Sequence, residues 1–226
     1  MSGARPDVIV AVPVKDLVDA KQRLVPFLHP DERRALAAAM LEDVLDALAP
    51  APVTETWVVT RDAAVLAVAE RHGVRCLTEA VNRGHTEAVA TAQREAQAQG
   101  ARRFMTIPGD VPCLTAAEVG ALAGALGDEP GVAFVPSRSG FGTNGVLLAP
   151  PDAMPLKFGE PSFDNHLLAA RARGLRCMTL RLPGLGLDVD APDDLAQLLT
   201  AGGPTRSAAL LRTWDVPARL AAPSRA

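Results

Sequence analysis

Val8-Ile9-Val10-Ala11-Val12, closed by Pro13, is an unbroken apolar run rich in β-branched residues. A strand with one wet face alternates apolar and polar residues, so a run without alternation predicts a strand covered on both faces, as in parallel sheets. Loop residues follow at once. From Pro30 and Asp31 onward, Leu36, Met40, Leu41, Val44, Leu45 and Leu48 recur at helical spacing, and Asp31 and Glu32 suit the positive end of a helix dipole. Strand, loop and amphipathic crossover helix thus stand in the order of a βαβ unit.

The rhythm continues outward from there. Trp57–Thr60 reads as a strand, Asp62–His72 as a helix, and Val74–Leu77 as a strand after the stop at Gly73. A helix over Thr86–Ala98, a strand over Phe104–Ile107, a helix over Ala116–Leu126 and a strand over Val132–Val135 extend it. The predicted fold class is α/β, since alternation of this kind implies parallel strands. The Gly-rich stretch Ser139–Gly145 then leads into Val146-Leu147-Leu148, where a second lobe is expected to begin. Ser162–Arg173 reads as a helix, Leu175–Leu180 as a strand and Ala191–Leu199 as a last helix. One domain over residues 1–201 is expected, followed by a tail over 202–226 that is rich in Ala, Arg, Pro and Ser, with an apolar patch at Leu210, Leu211 and Trp214.

Several classes are disfavoured by composition. A formal charge of −3, with both signs mixed along the chain, provides no basic stripe for a nucleic-acid backbone. Cys76, Cys113 and Cys177 form no CxxC pair, which argues against a zinc site or a disulfide framework. No stretch approaches the ~20 uncharged residues of a membrane span, and the first residues lack a signal-peptide pattern. A cytoplasmic protein is expected, with oligomeric state open between monomer and homodimer.

Three groups of residues could carry chemistry. Lys15, Lys21 and Arg23 follow the first strand, and open α/β sheets bind ligands beyond the carboxyl ends of their strands, where a triphosphate needs charge compensation. The same loop, lacking a glycine-rich phosphate fingerprint, also fits a solvated basic turn. Asp110, in Pro108-Gly109-Asp110-Val111-Pro112, sits at the end of another apolar strand; Asp188 and Asp190 share one side of an extended segment. Magnesium is commonly held by one or two carboxylates plus substrate phosphates, so these acids are candidate ligands. A turn at Asp110 and an N-cap at Asp190 are the bland alternatives, and Asp193 and Asp194 read as structural. Finally, Thr143, Gly159 and Ser162 stand where backbone N–H groups and hydroxyls can bind anionic oxygens, although Gly142 and Gly145 could serve turn geometry and Ser162 a helix cap. His85 and His166 belong to no metal-ligand cluster, and no G-x-S-x-G elbow is present.

The ordered set Pro13-Val14-Lys15, Lys21-Gln22-Arg23-Leu24, Glu32-Arg33, Pro108-Gly109-Asp110-Val111-Pro112, Gly142-Thr143-Asn144, Phe158-Gly159, Ser162-Phe163, His166 and Asp188-Val189-Asp190-Ala191-Pro192 resembles the guanylyltransferases of coenzyme F420 biosynthesis, the CofC/FbiD family of the MobA-like nucleotidyltransferase superfamily. The resemblance spans about Val8 to Leu199. It implies a three-layer α/β/α sandwich with a mostly parallel central sheet, the MobA-like (nucleotide-diphospho-sugar transferase) fold, in which GTP and a small phosphorylated three-carbon acid (3-phosphoglycerate, phosphoenolpyruvate or 2-phospho-L-lactate) give a guanylylated product and pyrophosphate. Carried over by motif, Asp110 with Asp188 or Asp190 would hold Mg2+. Pro13, Lys15, Lys21, Arg23, Asn82, Gly84 and His85 would contact the nucleotide, with Lys15, Lys21, Arg23 and Asp110 as the catalytic set. Thr143, Gly159 and Ser162 would bind the acceptor. The chain departs from the superfamily in having Ala11-Val12-Pro13-Val14-Lys15 in place of a G-x-G-x-x-R loop, and its Asn82–Ala88 segment differs from the common Gly-Leu-Asn pattern. A cytidylyl or sugar-nucleotide transferase, or a silent nucleotide sensor, are the rival readings.

Overall fold

The computed structural model describes residues 7–17, 20–78, 84–201 and 203–221. Its strands are β1 (Val8–Pro13), β2 (Glu55–Thr60), β3 (Arg75–Thr78), β4 (Arg103–Thr106), β5 (Gly131–Pro136), β6 (Thr143–Ala149) and β7 (Cys177–Thr179). Its helices are α1 (Pro30–Leu48), α2 (Ala63–Arg71), α3 (His85–Ala98), α4 (Ala116–Gly124), α5 (Ser162–Ala172), α6 (Pro192–Ala201), α7 (Arg206–Thr213) and α8 (Val216–Ala221).

Every residue of β1 is buried, because its side chains alternate between two separate cores. Val8, Val10 and Val12 pack with apolar residues of α1, α2, α4, α6 and α7, whereas Ile9 and Ala11 pack with Trp57, Phe104 and the inner faces of α3 and α5. Two helical layers on one sheet require this absence of alternation. The chain adopts the α/β class read from the element pattern, in the three layers that the family resemblance implies.

The seven strands lie in the order β3-β2-β1-β4-β6-β5-β7. β1 pairs in parallel with β2 on one side and β4 on the other, so the order reverses between β1 and β4 and opens a crevice beyond their carboxyl ends. The expected second lobe is not there. β6 inserts antiparallel between β4 and β5, so the Gly-rich stretch is a return connection within one sheet, and β7 extends that sheet beside β5. Gly145 is required by packing: a Cβ there would lie 2.8 Å from Leu185 Cδ2 and 3.1 Å from Val135 Cβ.

The segment read as a tail carries α7 and α8. Ala208, Leu211 and Val216 are buried in the larger core. Buried Asp43 of α1 accepts from Ser207 Oγ at 2.6 Å and from the backbone N–H groups of Arg206 and Ser207, anchoring the start of α7. Arg219 of α8 forms a two-pronged pair with Glu32 at 2.7 and 2.9 Å. No described helix is long and apolar enough to cross a membrane.

Candidate active site

A cavity of about 440 Å3 opens at the β1/β4 crevice, lined among others by Pro13, Lys15, Lys21, His85, Gly109, Asp110 and Asp190. Three loops build it, and each is pinned by backbone bonds. Ile107 N–H donates to Ala11 O as β4 ends, and Val189 N–H donates to Asp110 O, which draws the 188–190 segment onto the loop after β4. Leu17 N–H donates to Asp62 Oδ2, and buried Arg33 donates to Ala20 O and Leu28 O, so both ends of the lysine-bearing loop are tied down. Arg219 reaches Phe27 O in the same loop.

At the centre, Lys21 Nζ donates to Asp110 Oδ2 at 2.6 Å and to Asp190 Oδ1 at 2.7 Å. Carboxylates far apart in the chain therefore meet at one cation. The Lys21 side chain is 7% exposed, against 30% for Asp110 and 48% for Asp190. Burial alone would lower the lysine pKa, but the charges of Asp110 and Asp190 override it and hold the ammonium above its ordinary range. Burial would likewise raise the Asp190 carboxyl; the Lys21 charge outweighs it, with Arg23 and Lys15 adding to the effect, and the group titrates below its usual value. Lys21 holds this position with φ 56° and ψ 46°, a left-handed conformation that costs a non-glycine residue ~1–2 kcal/mol.

Asp188 points elsewhere. Asn144 Nδ2 donates to its Oδ1 at 3.0 Å and to Leu185 O at 3.1 Å. Burial raises the Asp188 carboxyl, and the charges of Asp110 and Asp190 push it the same way, so it lies within electrostatic reach of both. Among the described residues, no group of three or more His, Cys, Asp or Glu side chains is arranged to hold a metal ion; the carboxylates that converge do so on the ammonium.

The remaining sequence candidates divide in two. Lys15 and His85 line the cavity with Pro13, and Gly84 borders an adjoining recess; Arg23 is exposed beside it and acts by its charge. Asn82 lies outside the described residues. Thr143, Ser162 and His166 form a separate buried corner off the cavity, with Thr143 Oγ1 3.1 Å from Ser162 Oγ and 3.0 Å from His166 Nδ1. Gly159, exposed at φ 114°, lies in the connection leading to them. Phe158 joins the two regions: its ring meets His85 edge-on at 4.5 Å and His166 at 5.2 Å.

Two local roles become specific. Ser162 is not the cap of α5: Pro161 occupies that position, leaving the Ser162 hydroxyl free for Thr143. Asp194, read as structural, accepts from Asp190 N–H at 3.1 Å and Ala191 N–H at 2.8 Å and is itself gripped by Arg138 at 2.6 Å, so it sets the backbone that presents Asp190. An Asp two to four positions after a loop acid is the available signal for this, but the Arg138 contact has none in the sequence.

Burial holds the His85 and His166 imidazoles well below the ordinary range. Burial pushes His166 from 6.5 down to about 4, and Lys157 N–H donates to its Nε2 at 3.0 Å, a bond that protonation would destroy. The unfolded chain therefore takes up this proton first as pH falls. His166 contributes stability that is fully present above pH 6.5 and is lost on descent toward pH 4, by about 3 kcal/mol in order of magnitude. Urea unfolding at pH 7.5, 6.0 and 5.0 is expected to show falling stability, with a shallower slope in His166→Asn; an equal slope in that variant would refute the assignment.

Comparison with known proteins follows the same geometry. The family model described as "Guanylyl transferase CofC like" matches residues 8–225. A phosphoenolpyruvate guanylyltransferase of Sphaerobacter thermophilus is 41% identical over 191 residues, covering 84% of this chain and 91% of that protein. A 2-phospho-L-lactate guanylyltransferase of Methanothermobacter thermautotrophicus is 35% identical over 201 residues, covering 89% and 88%. In fold, the chain is similar to a provisionally named nucleotide-diphospho-sugar transferase from Desulfovibrio desulfuricans G20, with a TM-score of 0.78 at 18% identity over 95% of this chain and 96% of that one.

Proposed function

Because the chain belongs to the CofC-like guanylyl transferase family, we propose that it transfers GMP from GTP to a small phosphorylated three-carbon acid with release of pyrophosphate, as a step of coenzyme F420 biosynthesis. Phosphoenolpyruvate is the first acceptor to test, since the relatives at 41% and 38% identity carry that name. The observation that carries the reading is the convergence of Asp110, Asp190 and Lys21 in a cavity at the β1/β4 crevice.

The carboxylates suit Mg2+. They offer hard oxygen donors, two of them already within hydrogen-bond reach of a single cation, and a magnesium ion needs only one or two carboxylates when substrate phosphates supply further oxygens. Asp110 and Asp190 would hold it, with Asp188 nearby. When bound, such an ion supplies charge neutralisation at the reacting phosphates. Lys15 and Arg23 place positive charge on the same side of the site, and Lys21 adds a third cation for the triphosphate. An acceptor phosphate oxygen attacks the α-phosphorus in line as pyrophosphate leaves. It is already ionised near neutral pH and needs no general base, so positioning and fixed charge supply the acceleration. The Thr143–Ser162 corner, with Gly159 ahead of it, would hold the acid.

Pyrophosphate release measured across GTP, CTP and ATP, each with phosphoenolpyruvate, 3-phosphoglycerate and 2-phospho-L-lactate, tests this reading. Release is expected with GTP and at least one acid. Release with CTP alone would make the chain a cytidylyltransferase, and silence in every combination would remove the catalytic reading.

A further inference from the structure

The hydrogen bonds around His166 have only one consistent direction. Lys157 N–H is a backbone donor, so the Nε2 it meets at 3.0 Å carries no proton. The neutral ring then holds its proton on Nδ1, which donates to Thr143 Oγ1 at 3.0 Å. With that lone pair used, the Thr143 proton is free for Ser162 Oγ at 3.1 Å. The reverse order, with Ser162 donating to Thr143, would leave the spare proton on Thr143; in either order the pair holds one buried proton without an acceptor, a loss of ~1–3 kcal/mol that an anionic oxygen on the ligand removes. In the order that continues the chain from His166 through Thr143, the spare proton belongs to Ser162 at the amino end of α5, for which no hydrogen-bond acceptor appears among the described residues. The ring cannot easily turn to reverse this order, because it stacks on Phe134 at 5.5 Å with the planes 7° apart and meets the edge of Phe158.

We propose that His166 is a positioning residue that fixes the polarity of the acceptor corner, making Ser162 a hydrogen-bond donor that selects an anionic oxygen, carboxylate or phosphate, on the bound acid. The inference rests on reading Thr143 and Ser162 as the acceptor site. Two further features favour the same ligand. Ser162 is the first residue of the eleven-residue helix α5, whose amino end carries partial positive charge. The low pKa of His166 keeps the ring neutral, and the direction fixed, across the physiological range. An ammonium group at this point, having no lone pair, would leave the Ser162 proton unmet.

Two measurements decide the matter. Nitrogen-15 NMR of the full chain should show His166 as the neutral Nδ1–H tautomer from pH 6 to 8; an Nε2–H tautomer would overturn the inference whatever the enzyme does. In kinetics, His166→Leu should raise the acceptor KM by roughly tenfold to a hundredfold, the worth of a charge-assisted hydrogen bond, while kcat and the GTP KM stay within about threefold. His166→Asn, whose side-chain N–H can still donate to Thr143, should recover most of that loss even if the leucine variant folds poorly. An unchanged acceptor KM in His166→Leu, or an equal rise for GTP, would overturn the positioning role. If no acid supports pyrophosphate release, the function reading fails separately, and calorimetric titration of wild type and His166→Leu with phosphoenolpyruvate decides the inference: equal affinities would sink it.

Discussion

Asp110→Asn is expected to abolish nearly all turnover while leaving the fold intact. The substitution keeps the size and planarity of the side chain, so Lys21 still has an oxygen to meet at the position now 2.6 Å from Nζ, and the backbone bond from Val189 to Asp110 O is untouched. What is lost is one of two negative charges that converge beside the cavity. A metal ligand aimed at the reacting phosphates supports several kcal/mol of transition-state stabilisation, so kcat/KM should fall on the order of a thousandfold with a Tm within a few degrees of wild type. Single-turnover pyrophosphate release and a thermal melt on the same preparation check both halves. A fully active Asp110→Asn enzyme would refute the role assigned to this carboxylate. Asp193→Ala, on the exposed side of α6, is the appropriate control and should remain active.

Lys21→Met should behave differently, because Lys21 is both a cation of the site and the group that holds two acids together. Removing one partner of a buried charge cluster is more damaging than never having built it. Here the acids are 30% and 48% exposed, so water screens part of the loss, and a destabilisation of ~1–3 kcal/mol is the reasonable magnitude. For a chain of this size that is a Tm drop of roughly 3–10 °C. Mg2+ should raise the Tm of Lys21→Met more than that of wild type, since a divalent cation can replace the missing ammonium between Asp110 and Asp190, and activity should remain low because the triphosphate has lost a partner. Equal Mg2+ shifts in the two proteins would show that the ammonium and the metal do not share these carboxylates.

The legible parts of the fold were those set by local pattern. The unbroken apolar run at Val8–Val12 announced a strand covered on both sides, and helical spacing after Pro30 announced the crossover, because one-face burial leaves its period in the chain. The direction of β6 left no such trace: Val146-Leu147-Leu148 is buried on both faces, and a strand of that kind reads the same parallel or antiparallel. Helices α7 and α8 were obscured by length, eight and six residues, too short for periodicity to stand out in an Ala- and Arg-rich stretch.

In the site, the residue types after each strand were visible and their pairing was not. Lys21 lies 89 positions from Asp110 and 169 from Asp190, and only the β1/β4 reversal brings them together. Ser162 read either as an acceptor contact or as a helix cap, because a small polar residue at a helix start is the usual cap signal; the chain places Pro161 at the cap and turns the hydroxyl to Thr143. Asp194 reads as structural from its place in the first turn of a helix. Its grip on the Asp190 backbone is a tertiary consequence that spacing does not encode.

Calorimetric titration with Mn2+, in the presence of a non-reacting GTP analogue, addresses the central claim most directly when wild type is set beside Asp110→Asn and Asp190→Asn. The wild-type chain should bind the ion, and each single variant should lose at least about tenfold in affinity, since both carboxylates are held to the same point. Affinity equal to wild type in both variants would mean that the two aspartates meet only for the sake of Lys21, and that the cavity between β1 and β4 is not where a cation and a triphosphate come together.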